Sequence, residues 1–123
     1  MKTGYELITK VNPKTNKAFS ITIPIITSDK GEKLGKSAGN AVWLDADRLS
    51  PFAFYQFFVN TSDQMVETYL KIFTFLSLDE IEQIMKKHNV KPELYAAQKK
   101  LAASLTMLVH GGKSFTVLNF WQF

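Results

Sequence analysis

A chain of 123 residues is the size of one domain or of a piece of a larger protein. Its 46% hydrophobic and 21% charged content, with ten Phe, four Tyr and two Trp, excludes a disordered chain and supplies apolar surface for a core. The absence of cysteine excludes disulfides, thiolate catalysis and cysteine-based zinc sites, and the net charge of +4 favours phosphate or nucleic-acid partners without amounting to a polybasic arm.

No stretch approaches the ~18 apolar residues of a membrane span. The opening "MKTGYELITKVNPKTNK" has neither the apolar run of a signal peptide nor the Arg-rich pattern of a transit peptide. "TGYELITKV" reads as a short helix carrying Tyr5, Leu7 and Ile8, ended by the Asn12-Pro13 turn. "AFSITIPIIT", residues 18–27, is β-branched and almost continuously apolar, which predicts a strand buried on both faces, with Pro24 limiting its ladder. "SDKGEKLGKSAGN" is a polar loop with three Gly.

Helices are predicted from there on. Ser50-Pro51 is a start signal, a hydroxyl cap followed by proline at the first helical position, and Phe54, Phe57 and Phe58 form a core stripe behind it. Thr61 or Ser62 caps a second helix with Met65, Tyr69, Ile72 and Phe73 at helical spacing. "SLDE", Ser77 to Glu80, is a capping box opening a third, with Ile81, Ile84 and Met85 on one face. Pro92 begins the last, whose stripe is Leu94, Leu101, Leu105, Leu108 and Val109 and whose stop is His110-Gly111. His88 and His110 fall on or at the ends of these helices, and His110 suits the negative end of a helix dipole. "GKSFTVLNFWQF" has no helical period and high β propensity, the composition of an aggregation-prone appendage.

The loop raises the chemical question, because "GKS" ends the phosphate-binding loop of many nucleotide hydrolases. That loop needs G-x-x-x-x-G-K-[ST] opening directly into a helix. Here Gly31 and Gly35 enclose three residues, Lys30 stands where the first glycine belongs, and "AGNAVWLD" is no helix opening. "GGKSF" at 111–115 follows a helix, not a strand. A P-loop is therefore excluded. What remains is Lys33-Leu34-Gly35-Lys36-Ser37, two ammonium groups three residues apart with a hydroxyl beside them. Such a pair can neutralise charge building on a departing pyrophosphate.

"KLGKSAGNAVWLD" resembles the KMSKS signature loop of class I aminoacyl-tRNA synthetases, in the form of the tyrosyl enzymes of bacterial and mitochondrial type. The resemblance takes in "TGYELI", "ITIPIIT", "SPFAFYQFFVNTSDQMVETYLKIFTFLS" and "AAQKKLAASLTMLVHG", roughly residues 3–111, in family order. The tryptophanyl enzymes are disfavoured by the "YQFFVNTSD" and "LKIFTFLS" wording, and "GKSAGNAVWL" is closest to mitochondrial members.

The resemblance implies an ATP-dependent tyrosine–tRNA ligase that forms tyrosyl-adenylate and then charges tRNATyr. Lys33 and Lys36 match the two lysines that stabilise the ATP pyrophosphate, Ser37 the hydroxyl position, and Ile25 and Ile26 the strand end whose backbone lies beside adenine. It further implies Mg2+ accompanying ATP, no protein-bound metal, no membrane association, a mitochondrial matrix location (a bacterial cytoplasm being the alternative) and a homodimeric family.

No H-x-G-H pattern occurs in the chain, and the resemblance implies that it lies past the family's nucleotide-binding half, tyrosine pocket and dimerisation region. The expectation is thus a C-terminal fragment, inactive alone and mainly α. Residues 1–49 would be the remnant of a Rossmann-like catalytic domain, with a short strand and the loop. Residues 50–111 would be the α-helical linker and start of the anticodon-binding region, and 112–123 an atypical apolar tail. The rival reading is a non-catalytic helical module that binds RNA or a protein.

Overall fold

The computed structural model describes residues 2–11, 19–27, 31 and 41–119, with side-chain surroundings for residues 3–11, 19–27, 31 and 41–111. In chain order the helices are α1 (Lys2–Val11), α2 (Pro51–Val59), α3 (Asp63–Phe73) and α4 (Leu78–Val90), then a 3₁₀ turn (Pro92–Leu94) and α5 (Ala96–Asn119).

The helix starts follow their caps. The Ser50 hydroxyl accepts the Ala53 N–H ahead of Pro51, as the start signal predicts. Ser62 stands at the N-cap of α3 but its side chain makes no cap bond; its carbonyl instead accepts the N–H groups of Met65 and Val66. At α4 the capping box is complete. The Ser77 hydroxyl accepts the Glu80 N–H at 3.3 Å, and the Glu80 carboxylate accepts the Ser77 N–H at 2.8 Å.

Those contacts hold the Glu80 carboxyl below its ordinary value, first through the Ser77 backbone N–H, then the Ser77 hydroxyl, with Lys100 adding a smaller effect. A carboxyl depressed in the folded state contributes stability above the unfolded value, about 4.3, and loses it as pH falls through the lowered folded value. Glu80→Ala is therefore expected to be less stable than the parent at neutral pH, with the gap closing below about pH 4. Urea midpoints across that range test this, and a gap that widened in acid would contradict it.

Helices α2 and α5 form the most extensive pairing, and α3 and α4 close over α5. The core between them is Phe54, Tyr55 and Phe58 from α2, Val66, Tyr69 and Leu70 from α3, Ile81 from α4, and Ala97, Leu101, Ala102 and Leu105 from α5. Phe57, Met65, Phe73, Ile84, Met85 and Val109 pack at its edge. Phe54 meets Phe58 edge-on at 5.1 Å and His110 edge-on at 5.0 Å, so His110 is an aromatic neighbour of the core as well as a helix-end residue.

Several expectations change. Ile72, Leu94 and Leu108 are about half exposed, at 48%, 55% and 58%, and the buried places go to Val66, Leu70, Ala97 and Ala102. Small alanines let helices approach closely, which a search for large apolar residues overlooks. The last helix does not start at Pro92. Tyr95 takes a left-handed conformation, φ 51°, after one 3₁₀ turn, and α5 begins at Ala96.

Gly111 breaks α5 as predicted, with φ 76° and ψ 170°, a conformation suited to glycine. The backbone is helical again through Asn119, contrary to the expectation of a non-helical tail. A helix satisfies its backbone groups locally, whereas an unpaired strand satisfies none. The same reasoning covers the predicted strand. Residues 19–26 carry no regular secondary structure, and no strand forms among the described residues. Phe19, Ile21 and Ile23 are 88%, 86% and 81% exposed, with no ladder or second layer upon them. Pro24 also removes a donor that a ladder would use. The protein is mainly α, as expected.

Candidate functional site

Lys33, Lys36 and Ser37 lie outside the described residues. The backbone on either side of their loop is described, and both ends of it rest on the helical core. On the near side Ile26 packs against the core cluster, and the carbonyl of Thr27 accepts the Tyr69 hydroxyl at 3.2 Å. Tyr69 is 4% exposed and its ring lies 5.4 Å from that of Phe73, so α3 holds the donor firmly. Ile25 is 65% exposed, leaving one side of the segment open to a larger body.

On the far side Val42 and Leu49 pack against the same core. Between them Asp45 organises a turn. Its carboxylate accepts the Asp47 N–H at 3.0 Å, and its carbonyl accepts the N–H groups of Arg48 and Leu49. The turn brings the Arg48 guanidinium 3.3 Å over the Trp43 ring, a cation–π contact at the surface. Gly31, within the loop, has φ 74°, a left-handed conformation that glycine adopts without strain.

A second polar constellation, not singled out in the sequence, joins three helices. Asp63 opens α3, His88 lies in the last turn of α4 and Gln98 in the first turns of α5. The Asp63 carboxylate meets His88 Nε2 at 3.0 Å and accepts the Gln98 amide N–H at 2.5 Å, and the same amide reaches the Thr61 carbonyl at 3.4 Å. A carboxylate only accepts, so Nε2 carries the proton. His88 and Gln98 are fully buried, and Asp63 is exposed. The signal for this cluster was present. His88 continues the Ile81, Ile84, Met85 stripe, and Gln98 stands three residues before Leu101 and seven before Leu105. Polar residues on an apolar stripe require partners.

Among the described residues no three His, Asp or Glu side chains converge as metal ligands. The groove between α3 and α4 has a floor of Leu78, Ile81 and Met85. Its charged rim is internally paired, Lys71 with Glu67 and Lys86 with Glu82, each at 2.6 Å, so it presents no unbalanced field to an anion. No helix among the described residues is long and apolar enough to cross a membrane.

Residues 1–118 match the family model described as tRNA synthetases class I (W and Y). The chain is 57% identical over 108 residues to the mitochondrial tyrosine–tRNA ligase of Homo sapiens, covering 88% of this chain and 22% of that protein. It is 51% identical over 108 residues to tyrosine–tRNA ligase 1 of Bacillus subtilis, covering 88% of this chain and 26% of that one. A C-terminally truncated mitochondrial tyrosyl-tRNA synthetase of Coccidioides posadasii superposes with a TM-score of 0.70 at 36% identity, over 91% of this chain and 32% of the other. The chain thus spans about a quarter of the length of the curated relatives it matches.

Proposed function

We propose that this chain, which belongs to the class I tRNA synthetases (W and Y), is the part of a tyrosine–tRNA ligase that carries the pyrophosphate-handling loop and the helical support behind it. The identity of 57% over 108 residues to a mitochondrial tyrosine–tRNA ligase carries this reading. In it, residues 1–49 belong to the catalytic domain, residues 50–111 begin the helical region that approaches tRNATyr, and residues 112–123 are an atypical apolar tail. The bare apolar side chains of α1 and of residues 19–25 support that division. Tyr5, Leu7, Ile8 and Val11 are 48–68% exposed and Phe19, Ile21, Ile23 and Ile25 65–88%, which suits elements that pack into a larger sheet-containing body. There residues 19–26 would find the ladder they lack here.

The chemistry is adenylation followed by transfer. The tyrosine carboxylate attacks the α-phosphorus of ATP and the bond to the β,γ-pyrophosphate breaks; a hydroxyl of the tRNA 3′ end then takes the tyrosyl group from the adenylate as AMP leaves. ATP enters as its Mg2+ complex. The Lys33 and Lys36 ammonium groups neutralise the charge that accumulates on the leaving pyrophosphate, and the Ser37 hydroxyl donates to the same oxygens. The backbone of Ile25 and Ile26 lines the adenine side. The resemblance to mitochondrial members favours the mitochondrial matrix as the place of action, and the family's dimerisation would rest on residues outside these.

The test is ATP–pyrophosphate exchange by the full-length protein that carries these residues. Tyrosine should drive exchange and tryptophan should not. Exchange driven by tryptophan, or none with either amino acid, would refute the reading. The 123 residues by themselves are expected to give none, since a pyrophosphate-binding loop needs both reactants held beside it.

A further inference from the structure

We propose that Tyr69 is a positioning residue for ATP, fixing the adenine-side segment Ile25–Thr27 in register with the helical core through its hydroxyl. The inference rests on the synthetase reading above and adds a residue 42 positions downstream of that segment.

Two features of the contact point this way. The donor is rigid. Tyr69 is 4% exposed, flanked in α3 by fully buried Val66 and Leu70 and by the Phe73 ring at 5.4 Å, so its hydroxyl has one direction to offer. The acceptor is a backbone carbonyl, that of Thr27 at 3.2 Å. A bond to main chain fixes the path of the segment and asks nothing of the Thr27 side chain.

The apolar contact beside it is less specific. Ile26 packs on the core, but one apolar side chain on a curved surface can slide, whereas a hydrogen bond of defined length and angle cannot. Ile25, next in line, stays 65% exposed and is free to face a ligand or the rest of a catalytic domain. The bond, alongside the isolated backbone bridge at Thr27, therefore sets where the main chain of Ile25 and Ile26 lies relative to α3. A nucleotide read by that main chain would bind less well if the segment shifted by a fraction of an ångström. Phenylalanine in place of Tyr69 keeps the ring and the packing and removes the hydroxyl.

The experiment is Tyr69→Phe in the full-length synthetase that carries these residues, with Lys36→Ala as a control for the synthetase reading. In pyrophosphate exchange the KM for ATP should rise between about twofold and tenfold, the range one net hydrogen bond supports, while the KM for tyrosine stays unchanged. A merely structural role would reduce the active fraction, scaling kcat and leaving both KM values in place. If Lys36→Ala abolishes exchange but Tyr69→Phe leaves the KM for ATP at its parent value, the positioning role is wrong and the synthetase reading stands. If the parent protein shows no tyrosine-driven exchange, the synthetase reading fails, and this inference with it. Amide hydrogen exchange on the 123-residue chain gives an independent check that needs no activity. Tyr69→Phe should speed exchange at Ile25 to Thr27 and leave the amides of α3 protected, and equal loosening of both, or of neither, would overturn the proposal.

Discussion

Lys36→Ala in the full-length synthetase that carries these residues is expected to slow tyrosine-dependent pyrophosphate exchange by about 10²- to 10³-fold, the usual cost of removing one preorganised donor to a developing oxyanion. Its effect on the KM for tyrosine should be small. In the proposed role Lys36 meets charge that grows on the pyrophosphate as its bond to the α-phosphorus breaks, so the lysine would contribute more to the transition state than to the ground state. Lys36→Arg keeps the charge but changes the shape and reach of the donor, and should recover part of the rate. Steady-state kinetics with each substrate varied in turn would show the split. A variant with unaltered kcat and a raised KM for tyrosine would place Lys36 in the amino-acid pocket, against the role assigned to it.

Much of the helical part was readable because its signals are local. A Ser-Pro start and a Ser-Leu-Asp-Glu box need only their own first turn to act, and both appear as bonds at Ser50 and Ser77. The family reading was readable for a related reason, since the lysine-rich loop and the wording around it sit in one continuous run. Three things were not local.

The predicted strand at 18–27 was inferred from side-chain composition, but a strand exists through its neighbours, and no described segment offers one. The Phe, Val and Trp content of the last segment predicts β structure, yet its backbone turns helical after Gly111 and stays so to Asn119. β propensity mostly records fit to a pleated, half-buried surface, and has little force where there is no sheet. The polar cluster does not show in a pattern of apolar stripes. His88 and Gln98 hold stripe positions with polar side chains, and their common partner Asp63 lies 25 and 35 residues away, too far for any helical-period argument to connect.

Asp63→Ala should be the most damaging of the polar substitutions in the helical part, costing about 2–3 kcal/mol. Removing the carboxylate leaves the buried His88 Nε2–H without its acceptor and takes the shorter of the two bonds made by the Gln98 amide. A buried donor left unpaired costs about 1–3 kcal/mol. The Gln98 amide keeps the Thr61 carbonyl at 3.4 Å, so its share falls at the low end. Loss of a negative charge at the start of α3 adds a few tenths of a kcal/mol through the helix dipole. Because Asp63 is exposed, water can reach part of the space it vacates, and this holds the total below the sum of two full desolvation penalties. By contrast, breaking either exposed pair, Lys71–Glu67 or Lys86–Glu82, should cost about 0.3–0.5 kcal/mol, although both are shorter than the Asp63–His88 contact. Burial, more than distance, sets the order. Urea unfolding of the single variants and of the Asp63→Ala, His88→Leu pair would measure it. The double variant removes donor and acceptor together and should cost less than the two single losses added, because the shared bond is counted once. Additive losses, or an Asp63→Ala variant as stable as its parent, would mean that the three helices are held by their apolar stripes alone.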